Sequence, residues 1–272
     1  MTYKGILGAV FGDIIGSRFE GHNYRAKDFE LFGKYCRFTD DTALTIAVGK
    51  ALLDCNGDYS NLSQKATESL KQMGTWYPFA GYGGGFKRWL YAEKQEPYNS
   101  WGNGAAMRVS ACAYFAKSLE EAAFLSHEVT AVTHNHPEGI KGAEATTVAT
   151  YMALHGSTKD EIREHILNNY YNIDYELDDI RDHYYFDVSC QGSVPQALQA
   201  FFEARDYEDT IRNAISIGGD SDTIAAIAGA VAGAYYGVPE EIKEKSVDFL
   251  TYRLQTIVDK IDNKIQEIQD GL

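Results

Sequence analysis

Residues 224–238, IAAIAGAVAGAYYGV, are apolar on every face of a helix and consist mostly of alanine and glycine. A helix with no polar stripe must be buried on all sides. This run is shorter than the roughly 20 apolar residues that cross a bilayer, and it lacks the leucines of a lipid-facing span. It therefore predicts a central helix of a water-soluble domain, whose small side chains let its neighbours approach closely.

The rest of the chain supplies those neighbours. Apolar residues recur with helical spacing over about 41–55, 61–74, 104–117, 119–131, 138–155, 158–168, 193–204, 207–215, 221–236 and 240–268. Strand-like alternation is nearly absent. Start signals agree with this periodicity: Ser118 with Glu121, the segment STKDEI and the segment YEDTI each place a capping residue before an acidic first turn. Pro137, Pro195 and Pro239 fall where helices could begin. The expectation is an all-α fold, a single compact multi-helix domain over residues 1–272, with the pattern in 241–268 as a docked terminal helix. Residues 75–103 and 169–192 read as long loops, the first enclosing one short helical piece, and long loops in a compact domain often shape binding sites.

Charge and cysteine usage narrow the function. With 25 basic against 39 acidic residues the net charge is −14, which opposes sequence-independent attraction to nucleic acid or anionic lipid. Cys36, Cys55, Cys112 and Cys190 form no CxxC pair, so reduced core thiols in a cytoplasmic protein are expected. The apolar start MTYKGILGAVFGDIIGSRFEG is interrupted by Asp13 and lacks a cleavage site of the A-x-A type, so it does not read as a secretion signal. GYGGGFKRW resembles a phosphate loop, but Arg88 follows Lys87 where a P-loop needs Ser or Thr.

Two acidic clusters carry the chemistry. FTDDTAL places Thr39, Asp40 and Asp41 at the entrance of one helix, and GGDSDT places Asp220, Asp222 and Thr223 at the entrance of the Ala/Gly helix. Neighbours on a regular helix point in different directions, but at a helix entrance the backbone turns and adjacent carboxylates can converge. Capping alone would account for either cluster. Together, four aspartates are costly to assemble without a cation. The donors are all carboxylate and hydroxyl oxygens, which suit Mg²⁺ or Mn²⁺ over Zn²⁺ or Cu²⁺, and their number fits two ions better than one. On these grounds alone, a two-metal phosphohydrolase is one candidate. WGNGAAMR opens a helix whose free N–H groups after Gly102 and Gly104 would suit a pyrophosphate. His134 and His136 have no third partner nearby to complete a metal site, and tyrosines around 170–185 could stack on a base or simply pack.

The segments GAVFGDIIGSRFEG, FTDDTAL, WGNGAAMRV, VTHNHPEGIKGA and GGDSDTIAAIAGAVAGAYYG follow one another across nearly the whole chain. In that order they resemble the ADP-ribosylglycohydrolase family, which includes the dinitrogenase-reductase-activating glycohydrolase. The resemblance implies an all-helical hydrolase with two Mg²⁺ ions that releases ADP-ribose from an ADP-ribosylated protein or other acceptor. It implies Thr39, Asp40, Asp41, Asp220, Asp222 and Thr223 as metal ligands, and Glu20 and Asp41 as catalytic residues. Gly102, Asn103, Gly104 and His134 would contact the ADP-ribose. A monomer is expected, and the family also admits non-catalytic relatives that only bind or support structure. Ile14, Ile15 and Arg18 stand where many relatives carry smaller residues.

Overall fold

The computed structural model describes residues 2–271; Met1 and Leu272, the ends of the expected domain, lie outside them. The helices are α1 (Leu7–Gly16), α2 (Asp40–Cys55), α3 (Leu62–Trp76), α4 (Gly84–Leu90), α5 (Ser110–Phe115), α6 (Leu119–Ala131) and α7 (Pro137–Leu154). They continue as α8 (Lys159–Asn169), α9 (Leu177–Ile180), α10 (Cys190–Glu203), α11 (Tyr207–Ile215), α12 (Ser221–Tyr236), α13 (Glu240–Val247) and α14 (Tyr252–Asp270). Short 3₁₀ turns cover Tyr59–Asn61 and Asn103–Ala105. Among the described residues β1 (Thr2–Tyr3) pairs antiparallel with β2 (Val238–Pro239), Tyr3 opposite Val238, and an isolated antiparallel bridge joins Gly102 to Ser189. The fold is all-α, as the periodicity predicts.

The Ala/Gly helix is central. Every residue of α12 from Ser221 to Ala234 is buried, and α1, α7, α10 and α11 surround it. α2 packs against α3, α5 and α14 in the adjoining layer. No helix is long and apolar enough to cross a membrane among the described residues. Cys36, Cys55, Cys112 and Cys190 are all free and buried.

α1 and α12 touch backbone to backbone. A Cβ on Gly8 would lie 2.5 Å from Gly229 O, one on Gly12 2.0 Å from Ala225 O, and one on Gly16 2.6 Å from Asp222 Cα. Successive fourth residues occupy one helix face, so the three glycines form a groove into which α12 settles. This is an element the periodicity did not predict: the apolar start is a core helix, buried along its whole length.

Three boundaries differ from expectation. The segment 104–117 is a 3₁₀ turn followed by the six residues of α5, and in the break between them Met107 O accepts from Thr45 Oγ1 of α2 at 3.2 Å. α10 starts at Cys190, capped by Ser189 accepting from Gly192 N, so Pro195 lies inside the helix rather than at its start. The stretch 240–268 divides into α13 and α14, where Leu250 is buried and Thr251 caps α14 by accepting from Leu254 N.

Candidate metal centre

The two acidic helix entrances face each other. At α2, Thr39 is extended (φ −119°) and its hydroxyl accepts from Asp41 N at 3.3 Å, which leaves Asp40 and Asp41 in the first turn. At α12, Gly218 and Gly219 both adopt φ of 73°, which other residues rarely sustain. Side chains there would also collide, with Asn23 Cα at 2.8 Å and Tyr184 Cε1 at 2.4 Å. This double left-handed step leaves Asp220 at the N-cap position with no side-chain capping bond, so that its carboxylate points the same way as that of Asp222.

Carboxylate oxygens of Asp13, Asp41 and Asp222 lie within 4.8 Å of one another, and so do those of Glu20, Asp220 and Asp222. Asp222 belongs to both triads. Asp41 Oδ1 is buried with no hydrogen-bond partner. Thr223 stands beside Asp41 and Asp220 and its hydroxyl favours their ionised forms. Asp40 belongs to neither triad; it lies over Gly81, where a Cβ would come within 2.9 Å of its Oδ1.

Asp13 is the residue that sequence reasoning missed. It projects from α1 across the mouth of α2, accepting from Thr39 N at 2.9 Å, Thr39 Oγ1 at 2.7 Å, Thr42 N at 3.0 Å and Thr42 Oγ1. A carboxylate from a different helix therefore caps α2 and aims Thr39. The available signal was a single charged residue within an apolar run.

Asp13 lies behind the wall of a cavity of about 300 Å³, which the other acidic groups and Thr39 and Thr223 line. Every residue expected at the site is on its wall: Glu20, Thr39, Asp40, Asp41, Gly102, Asn103, Gly104, His134, Asp220, Asp222 and Thr223. Gly81, Tyr98, Phe186 and Val188 bring both long loops to it as well. Asn103 Nδ2 donates to Asp220 Oδ2 at 2.7 Å and to Ser193 Oγ at 3.0 Å, tying the glycine loop to the acidic cluster. The helix expected after WGNG needs correction here: a three-residue 3₁₀ turn replaces it, and the N–H groups that follow Gly102 and Gly104 are taken, Asn103 N donating to Val188 O at 2.7 Å and Ala105 N to Gly102 O at 3.1 Å. Ile14 and Ile15 face the core, and Arg18 lies over the Phe19 ring, so these departures in sequence point away from the cavity.

Burial raises the carboxyls of Asp41 and Asp222 well above the ordinary range, and neighbouring carboxylates raise them further. Burial carries Asp13 up to about 6 against the pull of its hydrogen bonds, and burial plus the charge of Asp13 carry Asp40 up to about 7. The orphaned Asp41 oxygen, the two carboxylate triads and the all-oxygen donor set fit divalent hard cations. A bound cation would remove the repulsion that raises these carboxyls.

Stability should report this. A carboxyl raised above its unfolded value of 3.8 stabilises the fold below that value and loses the contribution as pH rises through about 6 to 7. Chelated protein should therefore gain roughly a few degrees in Tm between pH 8 and pH 6. Mg²⁺ should raise Tm more at pH 8 than at pH 6, because protons compete for the same oxygens. Scanning calorimetry at both pH values checks this, and equal Mg²⁺ shifts would count against it.

The family model for ADP-ribosylglycohydrolase matches residues 2–271. Among characterised proteins, the chain is 24% identical to ADP-ribosylhydrolase ARH3 of Homo sapiens over 95% of this chain and 94% of that protein. It is 24% identical to the Mus musculus ADP-ribosylhydrolase ARH3 over 91% of this chain and 88% of that protein. A shorter match, 30% identical over 53% of this chain and 42% of the other, is to ADP-ribosylarginine hydrolase Tri1 of Pseudomonas putida. A solved structure titled ADP-ribosylglycohydrolase-related protein complex shares the fold, with a TM-score of 0.70 at 24% identity over 95% of both chains. With a matching model over almost its entire length and acidic clusters able to hold a divalent cation, the chain belongs to the ADP-ribosylglycohydrolase family.

Proposed function

We propose that this protein is a divalent-cation-dependent hydrolase that cleaves the glycosidic bond between ADP-ribose and an acceptor, releasing ADP-ribose. The observation that carries this reading is the pair of carboxylate triads sharing Asp222 in the wall of a cavity that also presents Gly102, Asn103, Gly104 and His134. Asp41, Asp220, Asp222, Thr39 and Thr223 would hold two Mg²⁺ ions, or Mn²⁺, with Asp40 completing the set from the cavity wall. Such ions, when bound, supply Lewis acidity and fix the orientation of ribose hydroxyls.

Glu20 is suited to move the proton. It stands at the exposed lip of the cavity, where partial burial and the charge of Asp220 raise its carboxyl while Arg37 and His22 oppose the shift. A carboxyl poised closer to neutrality can accept a proton from an attacking water and return it to the leaving acceptor. Asp41, the other catalytic candidate, offers its unpartnered Oδ1 to whatever occupies the first triad.

The acceptor is a protein side chain or another ADP-ribosylated group. The match over about half of the chain to an ADP-ribosylarginine hydrolase supports arginine as the first acceptor to test. Buried, unpaired thiols are consistent with a reducing cytoplasm, and we infer a monomer from the size of the domain.

The test is incubation with arginine-linked, serine-linked and acetylated ADP-ribose, with and without Mg²⁺, followed by product chromatography. ADP-ribose is the expected product. AMP with ribose phosphate would move cleavage to the pyrophosphate, and binding without turnover would leave a non-catalytic binder. Glu20→Gln should lower kcat by about 10² to 10⁴-fold while changing Mg²⁺ affinity far less. Wild-type kcat in that variant would remove Glu20 from the chemistry.

A further inference from the structure

Arg108 lines the cavity yet is fully buried, and among the described residues no carboxylate pairs with it. Its Nη2 donates to Thr133 Oγ1 at 2.6 Å, whereas Nε and Nη1 have no partner. An uncompensated buried cation is costly, so its retention points to a task other than ion pairing.

The hydroxyl of Thr133 has one proton to give. Thr130 O is 3.4 Å away and already accepts the N–H groups of Thr133 at 3.1 Å and His134 at 2.9 Å. His134 Nδ1 is nearer, at 2.8 Å. Arg108 can only donate, so it occupies a hydroxyl lone pair and leaves the proton free to turn toward Nδ1. An Nδ1 that accepts forces the imidazole proton onto Nε2. That nitrogen faces the glycine loop: a Cβ on Gly104 would lie 3.4 Å from it and one on Gly102 3.6 Å. Among the described residues Nε2 has no hydrogen-bond partner.

We propose that Arg108 is a positioning residue that acts through Thr133 to lock His134 in its Nε2–H tautomer, aiming that donor at an oxygen of the diphosphate-ribose moiety. The identity of the ligand rests on the glycohydrolase reading; the tautomer does not. Burial and the adjacent Arg108 charge also hold His134 well below its usual range, so the ring remains a neutral, single donor.

Two-bond ¹H–¹⁵N correlation spectra of the ligand-free, ¹⁵N-labelled protein test this, with His134→Gln identifying the signal. The wild-type ring should be Nε2-protonated. Thr133→Ser should preserve that state, whereas Thr133→Val and Arg108→Met should convert it to a mixture or to the Nδ1–H form. Calorimetry with ADP-ribose should show roughly tenfold weaker binding in the Val and Met variants, with Mg²⁺ affinity unchanged, as expected for one lost hydrogen bond. In turnover assays the loss should appear in KM more than in kcat. An Nδ1–H ring in the wild type, or an unchanged ring in Thr133→Val, overturns the proposal even if Arg108→Met fails to fold. Absence of ADP-ribose binding by the wild type overturns the glycohydrolase reading instead, and the ligand-free spectrum tells the two failures apart.

Discussion

Asp222→Asn is expected to lower Mg²⁺ affinity and turnover by about 10³-fold or more, while raising the Tm of the metal-free protein. Asp222 contributes to both carboxylate triads, so its neutralisation weakens both cation positions at once. Asparagine keeps the oxygen that accepts from Thr223 N at 3.0 Å, so the first turn of α12 retains its local support. What disappears is a buried negative charge that repels Asp41 and Asp220. Asp220→Asn makes the contrast, since Asp220 belongs to one triad and is already steadied by Asn103. Its effect on Mg²⁺ affinity should be smaller. Titration calorimetry, product assays and scanning calorimetry on both variants give the comparison. Wild-type Mg²⁺ affinity in Asp222→Asn would refute the shared-ligand arrangement.

The acidic centre was legible in the sequence because helix entrances carry local chemistry. Thr39 before Asp40 and Asp41, and Gly218–Gly219 before Asp220, are short-range patterns whose backbone consequences follow from capping and from positive φ. Asp13 was hidden because its partners are remote in sequence: it caps a helix that begins only at residue 40. Helix α1 was hidden by composition, since three glycines in ten residues weaken helix propensity and make the run resemble a leader. The usable signal was the fourfold spacing of Gly8, Gly12 and Gly16, which marks one face of a helix under close approach. The break before α14 was obscured for the opposite reason: Leu250, Leu254, Val258, Ile261 and Ile265 keep a helical period across it. Arg108 gave no sign, because an arginine in sequence normally reads as surface and its burial depends on tertiary packing.

Gly12→Ala tests whether the close packing of α1 on α12 builds the site. The new methyl would stand 2.0 Å from Ala225 O and 2.4 Å from Ala225 C, atoms of a backbone that cannot rotate aside. The helices must part, and overpacking of this kind costs about 3 kcal/mol or more. For a chain of this length that is a fall in Tm of roughly 6 to 12 °C. Mg²⁺ affinity should drop as well, because Asp13 follows Gly12 on α1 and a Cβ on Gly16 would meet Asp222 Cα at 2.6 Å. Gly84→Ala is the control: the nearest atom to its new methyl is Arg88 Nη1 at 3.7 Å, and the position begins α4, where alanine favours the helix. Its Tm should stay level or rise slightly. If Gly12→Ala melts with the wild type while still binding Mg²⁺ normally, the two helices are not held at this separation, and the convergence of Asp13 with Asp222 has some other cause.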